Sequence, residues 1–237
     1  MTLADLLERV EAAGRTITVY SAEEPTWVGD QFEARNVTVR QEPLPPGGPA
    51  GFVVVREADE FVASIGLAEL RELLAPPIRR PWEDPPDSSG YRALFELLDD
   101  TMFTAFDRQQ LLGAAREIED RAWRVGTGTL RVGFQRLSAM RSQLSVYEHL
   151  GAETALSIHV YGRADWEPPS VPKVTVHAES APEIGAFWFL AFDGGTEPQN
   201  ACALLAEERR PDQFYGFWTY DGEMVGAILE HLTSTYG

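Results

Sequence analysis

Residues 129–151, TLRVGFQRLSAMRSQLSVYEHLG, contain the two periodicities from which the fold follows. Apolar side chains alternate with polar or small ones over 129–134, which is typical of a half-buried β-strand. From Leu137 to Leu150 the apolar residues recur every three or four positions, as on one face of an α-helix. A strand followed at once by an amphipathic helix predicts an α/β fold.

The same two patterns extend in both directions from this stretch. Amphipathic helices are predicted at the start of the chain, after Asp107 and after Asp221. β-rich runs predict strands at 16–20, 37–42, 52–64 (two strands), 156–162, 174–179, 186–194, 201–208 and 214–221. We therefore expect a mixed β-sheet flanked by helices.

A proline-rich segment divides the chain. Residues 75–90, APPIRRPWEDPPDSSG, hold five prolines and show neither helical nor strand periodicity. This composition predicts a linker at 76–90 between an N-terminal α/β lobe, 1–75, and a second domain, 91–237.

Short strings recur on either side of that linker. The order ITVY, VTVRQE, FVVV in the first part is repeated as IHVY, VTVHAE, FLAF in the second. The repeat predicts two related α/β lobes that share or pair their sheets, and chance recurrence of β-rich strings is the alternative.

Charge excludes one class of function and favours one environment. The 37 acids against 20 bases give a net charge of −17, which opposes binding of nucleic acid through a broad surface. Such acidity, with nearly all positive charge carried by arginine, is typical of halophilic proteins, and an ordinary acidic protein is the alternative. The acidic first helix is unlike a signal peptide and no run of 18 apolar residues occurs, so a cytoplasmic protein without membrane contact is predicted.

Several blocks of the second part occur in an order that resembles a known family. They are AAREIEDRA (114–122), GFQRLSAMRSQLSVYEHLG (133–151), FWFLAFDGG (187–195), ACALLAEE (201–208) and FYGFWTYDGEMVGAILEHL (214–232). In this order they resemble the DICT sensory domain, which is associated with diguanylate cyclases and two-component systems. The chain looks like a stand-alone member of haloarchaeal type.

The resemblance implies a signal-input module without chemistry of its own. We expect it to bind a small, anionic ligand or a signalling protein, such as a histidine kinase or a transcriptional regulator, supplied as a separate chain. Two alternatives stay open: a pure protein interaction module that uses the aromatic run FYGFWTY or the acidic surface, and a hydrolase or transferase acting on a small molecule. The resemblance identifies neither the ligand nor a cofactor.

Candidate ligand-binding residues follow the strand at 130–134. Gln135 and Arg136 lie just past its carboxyl end, where α/β folds tend to bind ligands, and a helix begins directly after them. Arg163 and Trp166 occupy the corresponding turn after IHVY and are expected beside them if the two strands are neighbours. An anionic ligand suits this set because a guanidinium binds carboxylate or phosphate through two parallel hydrogen bonds.

Three more side chains are candidates with a structural alternative. Glu119 lies within the family-like helix and is more simply explained by an ion pair with an arginine. Tyr147 falls on the apolar stripe of its helix, and Trp218 belongs to an aromatic strand that is typically covered by helices.

The sequence contains no recognised catalytic motif and only a weak metal-binding signal, so we expect neither an enzyme nor a metal site. The sequence has no GxSxG, GxxxxGK[ST] or HExxH motif, and its single cysteine, Cys202, has no local partner. His159 and His177 lie in separate predicted strands without a supporting acid, which is a weak metal signal.

Overall fold

The computed structural model describes residues 1–11, 15–22, 28, 37–45, 47–57, 60–73, 102–106 and 108–237. Within these ranges the helices are α1 (Leu3–Glu11), α2 (Leu67–Leu73), α3 (Arg108–Val125), α4 (Leu144–Glu153), α5 (Pro182–Ala186) and α6 (Gly222–Tyr236). The strands are β1 (Arg15–Ser21), β2 (Val37–Pro43), β3 (Phe52–Glu57), β4 (Glu60–Gly66), β5 (Met102–Phe106), β6 (Thr127–Arg136), β7 (Ala155–Arg163), β8 (Val174–Glu179), β9 (Phe187–Phe192), β10 (Cys202–Arg210) and β11 (Gln213–Thr219). The predicted linker at 76–90 lies outside the described residues.

The strands form two mixed sheets, which confirms the predicted α/β class. The smaller sheet has the order β2-β1-β3-β4, with β1 parallel to β2 and antiparallel to β3. The larger has the order β5-β11-β10-β9-β6-β7-β8, in which β6, β7 and β8 run parallel. The carboxyl ends of these three strands therefore lie at one edge of the larger sheet.

Helices cover both faces of the larger sheet. Strand β6 sends Leu130, Val132 and Phe134 into the core on the side of α3 and α4. The opposite face packs against α1, α5 and α6, where Phe189 and Phe217 lie in the core. Gly133 faces this second side because a Cβ there would lie 2.2 Å from the Phe189 ring.

The first helix of the chain packs on the larger sheet. Its apolar stripe, Leu3, Leu6, Leu7 and Val10, is at most 3% exposed and joins the core on the α6 side. The Leu3 backbone N–H also donates to Glu183 Oε1 of α5 at 2.7 Å. Helix α1 precedes the strands of the smaller sheet in sequence but is buried against the larger one.

The two sheets share a strand arrangement. The order and directions of β2-β1-β3-β4 reappear in β7-β6-β9-β10, a parallel pair followed by two antiparallel pairings. In this correspondence β1 matches β6, whereas the repeated sequence strings align β1 with β7. The strand topology and the repeated sequence strings therefore give alignments of the two sheets that are offset by one strand.

The helix predicted over 137–150 is divided in two. Residues Leu137–Gln143 form a 3-10 helix, here called the 3-10 segment, and α4 begins at Leu144. The Ser142 hydroxyl donates to the Ala139 carbonyl, a short-range bond that competes with regular α-helical pairing. The apolar period is kept across the junction, which is why the sequence does not reveal it.

The aromatic run FYGFWTY is in the interior of the larger sheet. Strand β11 lies between β10 and β5, and its residues from Phe214 to Thr219 are at most 6% exposed where their exposure is given. The predicted use of this run as an exposed interaction edge is therefore wrong. In the described ranges, no helix is long and apolar enough to cross a membrane.

Candidate functional site

Two arginines stand side by side at the carboxyl edge of β6 and β7. Arg136 and Arg163 are direct partners in the parallel register, after an irregularity that begins at Gly133. Both side chains are exposed, and neither forms an ion pair within the described part of the chain. Neighbouring strands are about 4.8 Å apart, so two positive side chains leave the sheet from adjacent points.

Helix α5 passes close to Arg163 and leaves room for it. A Cβ at Gly185 would lie 2.5 Å from Arg163 Cδ, so any larger residue at position 185 would push the Arg163 side chain aside. This contact packs the aliphatic stem of Arg163 against the helix and restricts where its guanidinium can go.

Gln135 is held inside the protein at the end of β6. Its φ of 59° lies in the left-handed region that residues other than glycine seldom adopt. The side chain is 7% exposed, and its Nε2 donates to Glu208 Oε2 at 2.9 Å and to the Ala186 carbonyl at 3.3 Å. Gln135 therefore shapes the end of β6, and its amide is engaged within the protein.

Asp165 caps the 3-10 segment that follows Arg136. Its Oδ1 accepts from the Ser138 backbone N–H at 2.8 Å, and its Oδ2 accepts from the Ser138 hydroxyl at 2.5 Å. These bonds lower the pKa of Asp165, with a smaller contribution from the nearby charge of Arg136. The Ser138 N–H, near the start of the predicted helix, thus already has a carboxylate partner.

Trp166 adds a flat surface to the same edge. It is half-buried against the core on the α3 side, and the guanidinium of Arg141 lies 4.9 Å from its ring centre. The cation lies over an aromatic face, an arrangement that holds the exposed Arg141 beside the loop. Arg136, Arg163, Asp165 and the Arg141–Trp166 pair together form what we call the arginine edge.

Glu119 and Tyr147 meet in the core behind this edge. The Tyr147 hydroxyl donates to Glu119 Oε1 at 2.5 Å, and Arg116 donates to Glu119 Oε2 and to Gln143 Oε1. Burial raises the pKa of Glu119 and of Tyr147. The network joins α3, α4 and the last residue of the 3-10 segment, and its partly exposed members are Arg116 and Gln143.

Trp218 is not part of either group. It is 5% exposed in β11, which is separated from β6 by two strands. With Glu117, Cys202 and Tyr220 it lines a cavity of about 10 Å³, enough for about one water molecule. The structure thus places Arg136, Arg163 and Trp166 at one edge of the sheet and joins Glu119 to Tyr147. It engages Gln135 with Glu208 and Ala186 and leaves Trp218 apart.

The two histidines singled out from the sequence are in contact. His159 Nδ1 lies 3.0 Å from His177 Nε2, on the face of the sheet that packs against α6. Among the residues that the structure describes, no group of three or more histidines, cysteines and acids is placed to hold a metal ion.

Glu183 is a polar centre that the sequence did not reveal. Besides the Leu3 N–H, it accepts from the Tyr236 hydroxyl and contacts His231 Nε2, both at 2.7 Å. These hydrogen bonds lower the pKa of Glu183 against the raising effect of burial. Its partners are 48 to 180 positions away in the chain, so no local pattern could have identified them.

Comparisons with known proteins match half of the chain to one family. The model of DICT, described as the sensory domain in diguanylate cyclases and two-component systems, matches residues 91–209. This range contains the whole arginine edge and the Glu119 network. Among curated proteins, none matches.

A solved polyphosphate kinase from Porphyromonas gingivalis is similar at 11% sequence identity with a TM-score of 0.37. The alignment covers 96% of this chain and 47% of the kinase, so the chain spans about half the length of that protein.

Proposed function

Because the chain belongs to the DICT family of sensory domains, we propose that it is a non-enzymatic signal-input protein whose arginine edge binds a small anion. The observation that carries this proposal is the pairing of Arg136 with Arg163 across two parallel strands. The backbone fixes these like charges next to each other, although like charges directly opposite each other destabilise a sheet. A bound anion would offset that repulsion.

Local charge supports an anion over other ligands. Two acids neighbour the pair: Asp165 acts electrostatically on Arg136 and is engaged by Ser138, and Glu179 is the register partner of Arg163 on β8, without an ion pair to it in the described residues. A carboxylate or phosphate placed between the two arginines would receive charge-assisted hydrogen bonds from both. Trp166 offers a flat neighbour for an unsaturated or aromatic part of such a ligand.

The contacts behind the arginine edge suggest how ligand binding there could be transmitted to helix α3. Ser138 and Arg141, in the 3-10 segment, contact the edge through Asp165 and Trp166. The segment ends at Gln143, which bonds to Arg116 and through it to buried Glu119. A shift of the 3-10 segment on ligand binding would therefore act on α3 through a polar network that has little freedom to rearrange without loss.

Native mass spectrometry of protein purified in molar KCl tests the proposal. We expect a small-molecule mass that is lost on denaturation, or binding when phosphate, a dicarboxylate or a nucleotide is added. The double variant Arg136→Gln, Arg163→Gln should weaken binding at least about tenfold, since a hydrogen bond to a charged group contributes about 1.5–3 kcal/mol.

Arg124→Gln is the matched control, because it removes one exposed arginine of α3 that pairs with Asp120. Unchanged affinity in the double variant would remove the arginine edge from the site. A clean unliganded mass together with no binding of the three added anions would favour a protein partner instead.

A further inference from the structure

Strand β8 is an open edge of the larger sheet. It is last in the strand order and pairs with β7 on one side. Thr175 and Ala178 are exposed, and Val176 at 36% is one of the large apolar side chains that stay in contact with solvent. The strand therefore presents free backbone groups and apolar surface together.

One hydrogen bond fixes which backbone groups of β8 face β7. The Ile158 N–H donates to the Lys173 carbonyl at 3.0 Å, with Ile158 in register with Val174. The N–H and carbonyl of one residue point to the same side of a strand, and the side alternates along the chain. The odd-numbered residues of β8 therefore bond to β7, and the even-numbered ones point outward. These outward residues are Val174, Val176 and Ala178.

Two N–H groups and three carbonyls are left free on this outer side. The Val174 N–H donates to the Val171 carbonyl at 3.2 Å in the turn before the strand, so it is already bonded. Val176 and Ala178 keep both groups free for another strand. A partner must therefore offer carbonyls to these two N–H groups.

The other edge strands carry features that hinder such pairing. Strands β4 and β5 meet their neighbours with a register irregularity, and β2 contains Arg40 and Glu42 and ends at Pro43. Strand β8 pairs with β7 without irregularity, and apart from His177 its one ionisable residue is Glu179 at its end. Bulges, charges and proline are the usual protection of sheet edges, so β8 is the edge most open to another strand.

We propose that β8 pairs antiparallel with β8 of a second copy of this chain, about a two-fold axis at Val176. In this register Val176 is opposite its own equivalent, and the two residues exchange both N–H···O bonds. The Ala178 N–H donates to the Val174 carbonyl of the second copy, and symmetry repeats the bond. Each free N–H of β8 thus finds a carbonyl, and the larger sheets of both copies become one continuous sheet.

The charges at the two ends of β8 favour this direction of pairing. Lys173 comes just before the strand and Glu179 ends it. In the antiparallel register each lies opposite the other of the second copy, whereas a parallel, in-register pair would bring like charges together. The Lys173 ammonium donates to the Thr154 carbonyl and has two further N–H groups for a carboxylate. Glu179 forms no ion pair within the described part of the chain.

The dimer should be weak and should be favoured by salt. One pair of short strands buries less than the roughly 1,600 Å² of a standard stable interface, so we expect a dissociation constant of about 10 µM to 1 mM. Each copy carries a net charge of −17, and molar KCl screens the resulting repulsion at distances beyond about 3 Å.

Sedimentation equilibrium of the full chain in 1 M KCl tests for the dimer. Between about 10 µM and 1 mM the mass should rise from that of one copy toward that of two. A mass that stays at one copy would overturn the proposal. Masses beyond two copies would also overturn it, because pairing of β8 with a different edge leaves further edges open and builds longer chains.

A charge on the two-fold axis tests the surface. Val176→Lys places like charges directly opposite each other and should raise the dissociation constant about tenfold. Val39→Lys is the matched control, because Val39 holds the same place in the repeated string VTV, lies in edge strand β2 and is 37% exposed. Both variants change the net charge equally, and circular dichroism checks their fold. Unchanged dimerisation of Val176→Lys would assign the dimer to a different surface and overturn the pairing of β8.

Amide hydrogen exchange followed by NMR tests the register. The Val176 and Ala178 amides should exchange fast in dilute samples and slow down as the concentration rises. Those of Thr175 and Glu179, bonded to β7, should be protected at both concentrations. Fast exchange of Val176 and Ala178 in a sample that sedimentation shows to be dimeric would contradict the proposed register.

Discussion

At the scale of the residue, Gln135 shows how one backbone angle determines the direction of a side chain. Its left-handed φ of 59° ends the alternation of β6 and turns the amide toward Glu208. Arg136 then reaches solvent beside Arg163. A change at Gln135 should therefore affect both the stability of the edge and the placement of the arginines.

Substitutions at Gln135 should separate backbone strain from the hydrogen bonds. Gln135→Ala loses the bonds to Glu208 and Ala186 and keeps the unfavourable φ, whereas Gln135→Gly loses the same bonds and removes the strain. We expect the glycine variant to be more stable than the alanine variant by about 1 kcal/mol, measured by urea unfolding. An alanine variant that is equally or more stable would contradict a strained Gln135.

At the scale of the element, α5 is short but connects three parts of the molecule. Through Glu183 it bonds α1 and α6, and through Gly185 it contacts Arg163. Loss of the Glu183 carboxylate should therefore loosen the packing of α1 on the larger sheet.

Glu183→Gln should show a pH-dependent loss of stability. The pKa of Glu183 is lowered in the folded protein, so its contribution is present above the ordinary glutamate value near 4.5 and disappears as the pH falls through the folded value. We expect a loss of about 1–2 kcal/mol at pH 7 that shrinks on acidification below 4.5. Chemical unfolding of wild type and variant across this range measures it, with Glu223→Gln on the exposed start of α6 as the control.

A difference that stays constant from pH 7 to pH 3 would contradict the linkage of Glu183. It would mean that the variant changes packing alone.

The elements differ in how well the sequence predicts them. Strands β6, β7 and β9 to β11 follow from alternation or continuous apolar runs, because a buried face imposes that pattern. Strand β5, Met102–Phe106, was missed, since Met102 continues an apolar helical period in the sequence that begins at Tyr91, in a stretch outside the described residues. The change from 3-10 helix to α-helix after Gln143 was missed as well, because it leaves the period of the apolar residues unchanged.

The candidate site was predictable in part for a similar reason. Position past a strand end identified Arg136, Arg163 and Trp166, because the topology of parallel strands brings such positions together. Neither the turn of Gln135 nor the contacts of Glu183 could be predicted, since both depend on angles and partners fixed by the tertiary fold.

At the scale of the whole molecule, a net charge of −17 makes stability depend on salt. Raising KCl from 0.1 M to 1 M shortens the Debye length from about 10 Å to about 3 Å, which screens repulsion among the 37 acids. We expect Tm to rise over this range, as measured by scanning calorimetry. A Tm that falls would show that attractive pairs, such as Arg124 with Asp120, outweigh the repulsion.

The burial of α1 against the larger sheet has a consequence for synthesis of the chain. Leu3 bonds to Glu183, 180 positions later, and at about 5–20 residues per second the ribosome needs about 10–40 s to make that partner. Throughout this interval the leucine stripe of α1 has no native surface to cover it. Nascent chains should therefore be especially vulnerable to aggregation and to capture by chaperones at α1 until Glu183 has been made.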